Sequence, residues 1–259
     1  MNDSLFVFDR PPPRWYTVPN ETEREVAAVN DGCLICGAPL IYTKEDEAAE
    51  CALCHKRELT KARCENGHYV CDECHEKGLD AAVDICRRSP SADPFAVLEE
   101  LMAADFCHMH GPEHHVLVAA AILTAYRNGG GELDLEKALT EAVRRGRQVP
   151  GGVCGFWGAC GAAIGSGIAV SILSGATPLA KETYGLANGM TARALADIAA
   201  VGGPRCCKRN SYLALNAAAD FLAERFGVAL SRPKVVCRHS ERNAQCIGRR
   251  CPFFKSSEK

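Results

Sequence analysis

The sequence lacks the features that mark an exported protein or a nucleotide-binding protein. Its first residues, MNDSLFVFDRPPPRWY, contain no basic segment followed by an apolar one, so no secretion signal is predicted. We therefore expect a cytoplasmic protein whose cysteines stay reduced, because disulfides persist mainly in oxidising compartments. No Walker or Rossmann glycine spacing is present, and beyond residue 78 no segment alternates apolar and polar residues as a half-buried strand does.

Two further shortages bear on the partners. Aromatic residues make up only 7% of the chain, which is few for a protein that stacks on nucleic-acid bases. The longest uncharged stretch, between Arg147 and Lys181, is rich in Gly, Ala, Ser and Cys and poor in Leu. A closely packed buried helix is therefore favoured over a membrane span. Residues 205–259 hold 12 Lys and Arg against 4 Asp and Glu, a charge that suits an anion, RNA or the acidic part of the same chain.

Cysteine, in contrast, is abundant, with 16 residues in 259. Two Cys-x2-Cys turns and a third cysteine- and histidine-rich run supply eight metal ligands: Cys33, Cys36, Cys51, Cys54, Cys64, His68, Cys71 and Cys74. Eight such ligands make two tetrahedral sites, and closed four-ligand sites of this kind hold structural zinc. The spacing predicts two zinc ions but leaves open whether the ligands pair sequentially or in a cross-brace.

The remaining pattern predicts a mainly α fold in three segments. An extended arm is expected over 1–30, a zinc-ribbon or RING-like module over 31–78 and an all-helical cysteine-rich domain over 90–259, with a linker around 87–90. Capping residues, prolines and glycines predict helices over 93–105, 112–128, 134–146, 161–174, 177–200 and 207–225.

A dense histidine cluster marks the start of the second of these helices. Cys107, His108, His110, Glu113, His114 and His115 fall within ten residues. Histidines at a helix N-terminus are expected to have lowered pKa values and to stay neutral, as general bases and metal ligands must. We predict that His108, His110, His114 and His115 line a pocket or bind a second metal, with His114 and His115 in catalytic roles.

Three further groups of cysteines follow in the helical region. Cys154 and Cys160 flank a glycine-rich turn whose glycines let the backbone approach either a ligand or a neighbouring helix. Cys206 and Cys207 open a helix among cations, which is expected to favour thiolates, so that one can bind metal while the other reacts. The irregular basic tail contributes the last group: Cys237, Cys246 and Cys251.

The tail cysteines favour an iron–sulfur centre such as a [4Fe-4S] cluster, with Cys206 or Cys207 as the fourth ligand. Structural zinc is the alternative, because thiolates serve both metals.

Two resemblances add to this interpretation. The Cys160-Gly-Ala-x-x-Gly165 run, with Cys154 ahead and Cys206-Cys207 behind, resembles the C-GCAxxG-C-C family of small cysteine-rich redox proteins, although the order of residues differs. The segments CLICGAPL, HGPEHH, GPRCCKR and CIGRRCPFF resemble an uncharacterised domain family of anaerobic microbes, over about 31–255. That resemblance implies iron–sulfur or sulfur chemistry and a partner enzyme such as a radical-SAM protein.

The sequence thus predicts a metalloprotein with structural zinc and a cysteine-based redox or sulfur-handling site that acts on a small anionic substrate. Cys206, Cys207, His114 and His115 are the predicted catalytic residues. The predicted cofactor-binding residues are Cys154, Cys160, Cys237, Cys246, Cys251, Arg205 and Lys208. The alternatives are a zinc-stabilised RNA-binding protein, which the acidic zinc module disfavours, and a docking scaffold without catalysis.

Overall fold

The computed structural model describes residues 32–255, so the predicted arm over 1–30 lies outside the described residues. Within this range a two-stranded antiparallel hairpin comes first and nine α-helices follow it. The strands are β1 Leu40–Glu50 and β2 Arg57–Cys64. The helices are α1 Asp72–His75, α2 Ala81–Arg88, α3 Pro94–Met102, α4 Glu113–Asn128, α5 Leu135–Gly146, α6 Cys154–Trp157, α7 Gly161–Ser174, α8 Glu182–Val201 and α9 Cys207–Phe226.

The hairpin separates the two Cys-x2-Cys turns. In its register Leu40 lies opposite Cys64 and Glu50 lies opposite Arg57, with an irregularity between Tyr42 and Glu47. The first Cys-x2-Cys turn leads into β1, whereas the second forms the connection to β2 at the far end. Because the strands span the distance between the turns, each turn must find its further ligands at its own end of the hairpin.

Local capping chemistry sets the helix ends, as the sequence predicted. The Asp93 carboxylate accepts a hydrogen bond from the Phe95 backbone N–H at 2.9 Å and starts α3. The Asp134 carboxylate accepts one from the Lys137 N–H at 3.2 Å and starts α5. Gly227, at φ 69°, ends α9 in the left-handed conformation that favours glycine. The predicted bounds of α3, α4, α5, α7 and α9 are therefore confirmed to within a few residues.

The core is built around α4. All residues of this helix from Glu113 to Tyr126 are buried, which is typical of a helix enclosed by other helices on every side. Around it pack α2, α3, α5, α7 and α9, while α8 covers α7 and α9 from outside. The polar N-terminus of α4 is therefore held inside the protein, and its first turn carries Glu113, His114 and His115.

Two boundaries differ from the sequence prediction. Helix α8 begins at Glu182 and not at Thr177-Pro178, because the Ala180 N–H donates to the Thr177 carbonyl at 3.0 Å and closes a single turn. That turn serves the chain reversal between α7 and α8, which pack against each other. The predicted linker at 87–90 overlaps the end of α2, a short helix that buries Ala82 and Cys86.

The uncharged glycine-rich stretch forms α7, which packs closely on α4. A Cβ atom on Gly161 would overlap the His115 ring, and one on Gly165 would overlap the His115 carbonyl oxygen. The prediction of a buried, closely packed helix is thus confirmed. Among residues 32–255, no helix combines the length and the apolar character needed to cross a membrane.

The contact between α4 and α7 can be tested with one methyl group. We expect Gly165→Ala to lower the free energy of unfolding by about 1–3 kcal/mol, because the added Cβ meets backbone that cannot rotate away. Gly185→Ala in α8 is the matched control: nothing lies within 4 Å of its Cβ, so it should be neutral or stabilise by up to about 1 kcal/mol. Denaturant unfolding measures both, and equal effects would contradict the close contact.

Candidate metal centres and a cysteine-lined cavity

The eight ligands near the N-terminus form two compact groups, which could hold metal ions such as zinc. One group contains Cys33, Cys36, Cys64 and His68, and the other contains Cys51, Cys54, Cys71 and Cys74. The ligand atoms of each group lie within 4.8 Å of one another. Cys36 Sγ is 3.3 Å from His68 Nδ1, and Cys54 Sγ is 3.6 Å from Cys71 Sγ. The sequence left open whether the ligands pair sequentially or in a cross-brace, and the structure shows the cross-brace.

The hairpin explains this pairing. Strand β2 ends at Cys64, which lies opposite Leu40 and so returns to the end of the hairpin where Cys33 and Cys36 are. From there the chain turns back along the module, and Tyr69 forms an isolated bridge with Cys51 at the other end. Cys71 and Cys74 are therefore delivered to the second Cys-x2-Cys turn.

Hydrogen bonds to four of these sulfurs favour negative charge, whereas burial raises the pKa of Cys33, Cys71 and Cys74. Backbone N–H groups donate to three of the four: Ile35 to Cys33 at 3.4 Å, His68 to Cys64 at 3.2 Å and Cys71 to Cys51 at 3.4 Å. The Ala38 backbone N–H and then the Asn66 side chain lower the pKa of the Cys36 thiol to about 6. Both effects favour thiolate, the form that ligates a metal.

A third group of thiols surrounds a small cavity at the C-terminal end of the chain. Cys206, Cys237, Cys246 and Cys251 line it, with the Tyr212 and Phe253 rings beside them. Each sulfur is close to a backbone donor. The Arg209 N–H lies 3.4 Å from Cys206 Sγ, the His239 N–H lies 3.4 Å from Cys237 Sγ and the Gly248 N–H lies 3.4 Å from Cys246 Sγ. The N–H groups of Phe253 and Phe254 donate to Cys251 Sγ. These four thiols do not form a group of the single-ion size seen in the N-terminal module.

The adjacent cysteines Cys206 and Cys207 differ in the groups that they join. Cys206 caps α9 and belongs to the C-terminal group, although it also borders a second cavity, which Cys207, Cys154 and Cys160 line. The expectation that nearby cations would favour thiolates here is wrong. Burial raises the pKa of Cys206, and it raises that of Cys207 to about 12, because desolvation outweighs the neighbouring arginines.

The histidine cluster at the start of α4 holds a thiol between two basic groups. Lys208 Nζ lies 3.0 Å from Cys107 Sγ, and His114 Nε2 lies 3.8 Å from the same sulfur. On the other side of its ring, His114 Nδ1 is 3.1 Å from the Gly111 carbonyl and 3.3 Å from Glu113 Oε1. Glu113 is fully buried and also accepts the His108 backbone N–H at 2.9 Å.

These contacts shift protonation in favour of an ion pair. Burial alone would raise the pKa of the Cys107 thiol, but the charge and hydrogen bond of His114 and the charge of Lys208 outweigh it, so the pKa falls below its ordinary value. Burial would lower the pKa of His114, yet the Cys107 thiolate raises it to about 9. The direction expected for the first-turn histidines is found for His115, where burial lowers the pKa to about 4, but it is wrong for His114. Burial also lowers the pKa of His110, to about 3.

Cys107 opens onto a cavity of about 700 Å³ between the hairpin and the helices. His108 and His110 also line it, and three cations do so on the helical side: Arg205, Lys208 and Arg242. The Arg205 guanidinium lies over the Tyr42 ring at 5.1 Å, which joins the two walls. Acidic side chains on the opposite wall come from Asp46, Glu58 and Asp72.

The structure thus distributes the predicted site residues over three places. His114 and Lys208 lie at Cys107, and Arg205 lines both the large cavity and the one beside Cys207. His115 is held by its Nδ1 at 3.0 Å from the Val149 carbonyl beneath α7. The sequence did not single out Cys107 as a reactive thiol. Its spacing of seven residues from His114, across the Gly111-Pro112 turn, was the signal available. Cys86 has no neighbouring ligand group among the described residues and belongs to the apolar core.

The cross-brace predicts how paired substitutions change the metal content. In the double variant Cys33→Ser/His68→Ala both changes fall in one site, so we expect loss of about one metal ion from two. In Cys33→Ser/Cys74→Ser they fall in different sites, and both ions should be lost. Elemental analysis of zinc per chain, with circular dichroism as a check on folding, gives the answer. Loss of both ions from the first variant would instead indicate sequential pairing.

Comparisons with known proteins place the helical region in a family. Neither the curated proteins nor the solved structures gave a match to this chain. A family model described as a family of unknown function, DUF5714, matches residues 82–254, from α2 through the last cysteine group, and so spans well over half of the chain. The N-terminal metal groups lie ahead of the matched region, while Cys107 and the C-terminal thiols lie inside it. The chain therefore belongs to the DUF5714 family.

Proposed function

We propose that the protein is an iron–sulfur protein in which two zinc ions stabilise the N-terminal module and a [4Fe-4S] cluster is held by Cys206, Cys237, Cys246 and Cys251. The cluster would serve redox or sulfur chemistry on a small anion bound in the neighbouring cavity. The observation that carries the proposal is the convergence of these four thiols, from α9 and the irregular tail, on one small cavity.

The spread of the four sulfurs favours a cluster over a single zinc ion. Around one ion the ligand atoms crowd together, as in the two N-terminal groups. Ligands of a four-iron cluster stand farther apart, because irons and sulfides lie between them. The C-terminal thiols are near enough to raise one another's pKa, as Cys246 and Cys251 do for Cys206, but do not reach single-ion packing.

The surroundings of the thiols also suit a cluster. Burial raises the pKa of Cys237 to about 11 and raises those of Cys206 and Cys251, so these thiols ionise readily only when a cationic group binds them. The backbone N–H groups close to the sulfurs match the hydrogen bonding that tunes cluster potentials. Arg209, buried beside the cavity, adds a positive charge that offsets part of the cluster's negative charge.

A short chain of side chains connects this group to the large cavity. Asn243 Nδ2 donates to Cys206 Sγ at 3.3 Å, and Asn243 Oδ1 lies 3.3 Å from His110 Nε2. His110 itself lines the cavity. An electron reaching the cluster would therefore lie two side chains from a ligand in the cavity. A partner enzyme such as a radical-SAM protein, implied by the resemblance, remains a prediction.

Metal analysis of protein purified without oxygen tests the proposal. We expect about two zinc ions and four irons per chain, acid-labile sulfide, and broad visible absorption that bleaches on reduction. Cys237→Ser should lose iron and colour but keep both zinc ions. Cys86→Ser is the matched control, since Cys86 lies in the apolar core, and it should keep the iron. A colourless protein with zinc alone would refute the cluster and favour a docking or RNA-binding scaffold.

The Asn243 contact predicts a change in reduction potential. Asn243→Leu nearly preserves the side-chain volume but removes a hydrogen-bond donor to Cys206 Sγ. The loss of this donor destabilises the reduced, more negative cluster more than the oxidised one. We expect the midpoint potential of the cluster to become more negative at unchanged iron content. Redox titration followed by visible absorption measures it. Asn188→Leu is the control, because this amide donates to the Tyr184 carbonyl within α8, and it should not change the potential. An unchanged potential in Asn243→Leu as well would contradict the proposed contact.

A further inference from the structure

We propose that Cys107 is a nucleophile that attacks a small anionic electrophile bound in the large cavity, with His114 as its proton partner and Lys208 as its anion-binding group. This inference goes beyond the cluster and does not depend on it, because none of the three residues belongs to a proposed metal site. It rests on the geometry around the Cys107 sulfur.

Three elements meet at this sulfur. Cys107 follows α3, His114 lies in the first turn of α4, and Lys208 lies in the first turn of α9. Lys208 is only 1% exposed although its side chain ends in an ammonium, and the contact that accounts for its burial is Cys107 Sγ at 3.0 Å. A buried ammonium needs a negative partner, and a thiolate at that distance supplies one.

The imidazole is oriented as a base beside a nucleophile must be. Its Nε2 faces the sulfur, and its Nδ1 faces the Gly111 carbonyl and the Glu113 carboxylate. Glu113 is fixed in turn by the His108 N–H and by His75 Nδ1 at 3.2 Å. Nucleophile, base and orienting group thus follow one another in the order that activates cysteine in catalytic sites.

A metal ion is a poorer occupant of this place. The ligand atoms of Cys107, Glu113 and His114 do lie within 4.8 Å of one another. However, the Lys208 ammonium already neutralises the sulfur, and a divalent cation would have to sit beside that buried positive charge. The charges favour a thiolate paired with two monovalent cations.

The cavity in front of the sulfur is built for a small anion. Lys208 lies at Cys107, and Arg205 and Arg242 line the same helical side of the cavity. The carboxylates of Asp46, Glu58 and Asp72 belong to the hairpin and α1, where Lys61 and Arg63 accompany them. The three cations are available to hold a carboxylate or another oxyanion.

The chemical step needs no added oxidant or reductant. The Cys107 thiolate donates an electron pair and forms a bond from Sγ to the electrophilic atom. The bond from that atom to the leaving group breaks, and the leaving group departs with its electron pair. A leaving group that requires a proton receives it from His114 Nε2, which leaves a neutral imidazole.

Competitive alkylation of the whole protein, prepared without oxygen, tests the proposal. Iodoacetate is the anionic probe and iodoacetamide its neutral counterpart; in both reactions an S–C bond forms and iodide leaves. Peptide mass spectrometry gives the rate of labelling at Cys107 by each reagent, and the ratio of the iodoacetate rate to the iodoacetamide rate is compared with the same ratio for a small free thiol. We expect the ratio at Cys107 to be about tenfold higher, which is the effect of one charged contact. A ratio equal to that of the free thiol would overturn the anion-binding part.

Variants separate the roles of the two basic groups. Lys208→Met should abolish the preference for iodoacetate, while labelling by iodoacetamide persists but shifts to higher pH because the lysine also stabilises the thiolate. Lys137→Met, at an exposed lysine of α5, should change neither rate. The pH midpoint of iodoacetamide labelling should lie below about 8.5 in the native protein, because the thiolate is stabilised. His114→Gln should raise that midpoint.

The charged and titratable groups that face the sulfur from its three elements are Lys208, His114 and Glu113, with His75 and His108 behind them. A native midpoint at or above that of a free thiol would overturn the proposal even if both variants failed to fold. Neither readout uses the cluster colour, so loss of iron and loss of Cys107 reactivity remain distinguishable.

Discussion

The arrangement of the molecule depends on one buried carboxylate. Glu113 has no exposed surface, and an isolated carboxylate in such a place would be costly unless it is paired and hydrogen-bonded. Its partners come from three segments: His114 in the same turn, the His108 backbone N–H before α4, and His75 at the end of α1. Burial alone would raise the pKa of Glu113, but the hydrogen bonds and charges of His114 and His75 hold it well below its ordinary value.

This pairing joins the metal-rich module to the helical region. His75 directly follows Cys74, a member of one of the cross-braced groups, so the partner of the carboxylate is next in sequence to a candidate metal ligand. Two further contacts act in parallel: Asp72 accepts the Gly151 N–H at 2.8 Å, and Glu76 faces Arg147 at 3.6 Å. A metal that fixes Cys71 and Cys74 therefore also fixes the turn that carries these three anchoring side chains. Structural zinc in this module would shape the large cavity without touching a ligand in it.

The first turn of α9 shows how one short segment can serve three purposes. Successive residues of a helix point about 100° apart. Cys206 caps the helix and faces the tail thiols, Cys207 faces Cys154 and Cys160, and Lys208 reaches Cys107. The cis peptide bond between Gly203 and Pro204 lies just ahead of this turn. The Arg209 guanidinium donates to the carbonyls of Gly202 and Pro204, each at 2.8 Å, and so holds the segment before α9 against the first turn of the helix.

Sequence reasoning succeeded where the determinants are local. Asp93, Asp134 and Gly227 act through hydrogen bonds or backbone conformations within a few residues, so the helix ends could be predicted from spacing alone. The eight ligands of the N-terminal module were recognisable for the same reason. Their pairing was not, because it depends on the register that places Cys64 opposite Leu40. Thr177-Pro178 has the pattern of a helix start, but in the structure it forms a single turn within the chain reversal that follows α7. That reversal depends on the packing of α8 on α7, which local sequence does not reveal.

The properties of the cysteines were predicted least well, and the reason is electrostatic. A pKa depends on burial and on charges brought close by the fold, and neither can be read from neighbours in the sequence. Cys206 and Cys207 have cations beside them in the chain, yet burial raises both pKa values. Cys107 has no cation next to it, yet its pKa is lowered by Lys208, 101 residues away, and by His114 across a turn. The thiol best suited to reaction is therefore the one whose basic partners were assembled by tertiary packing.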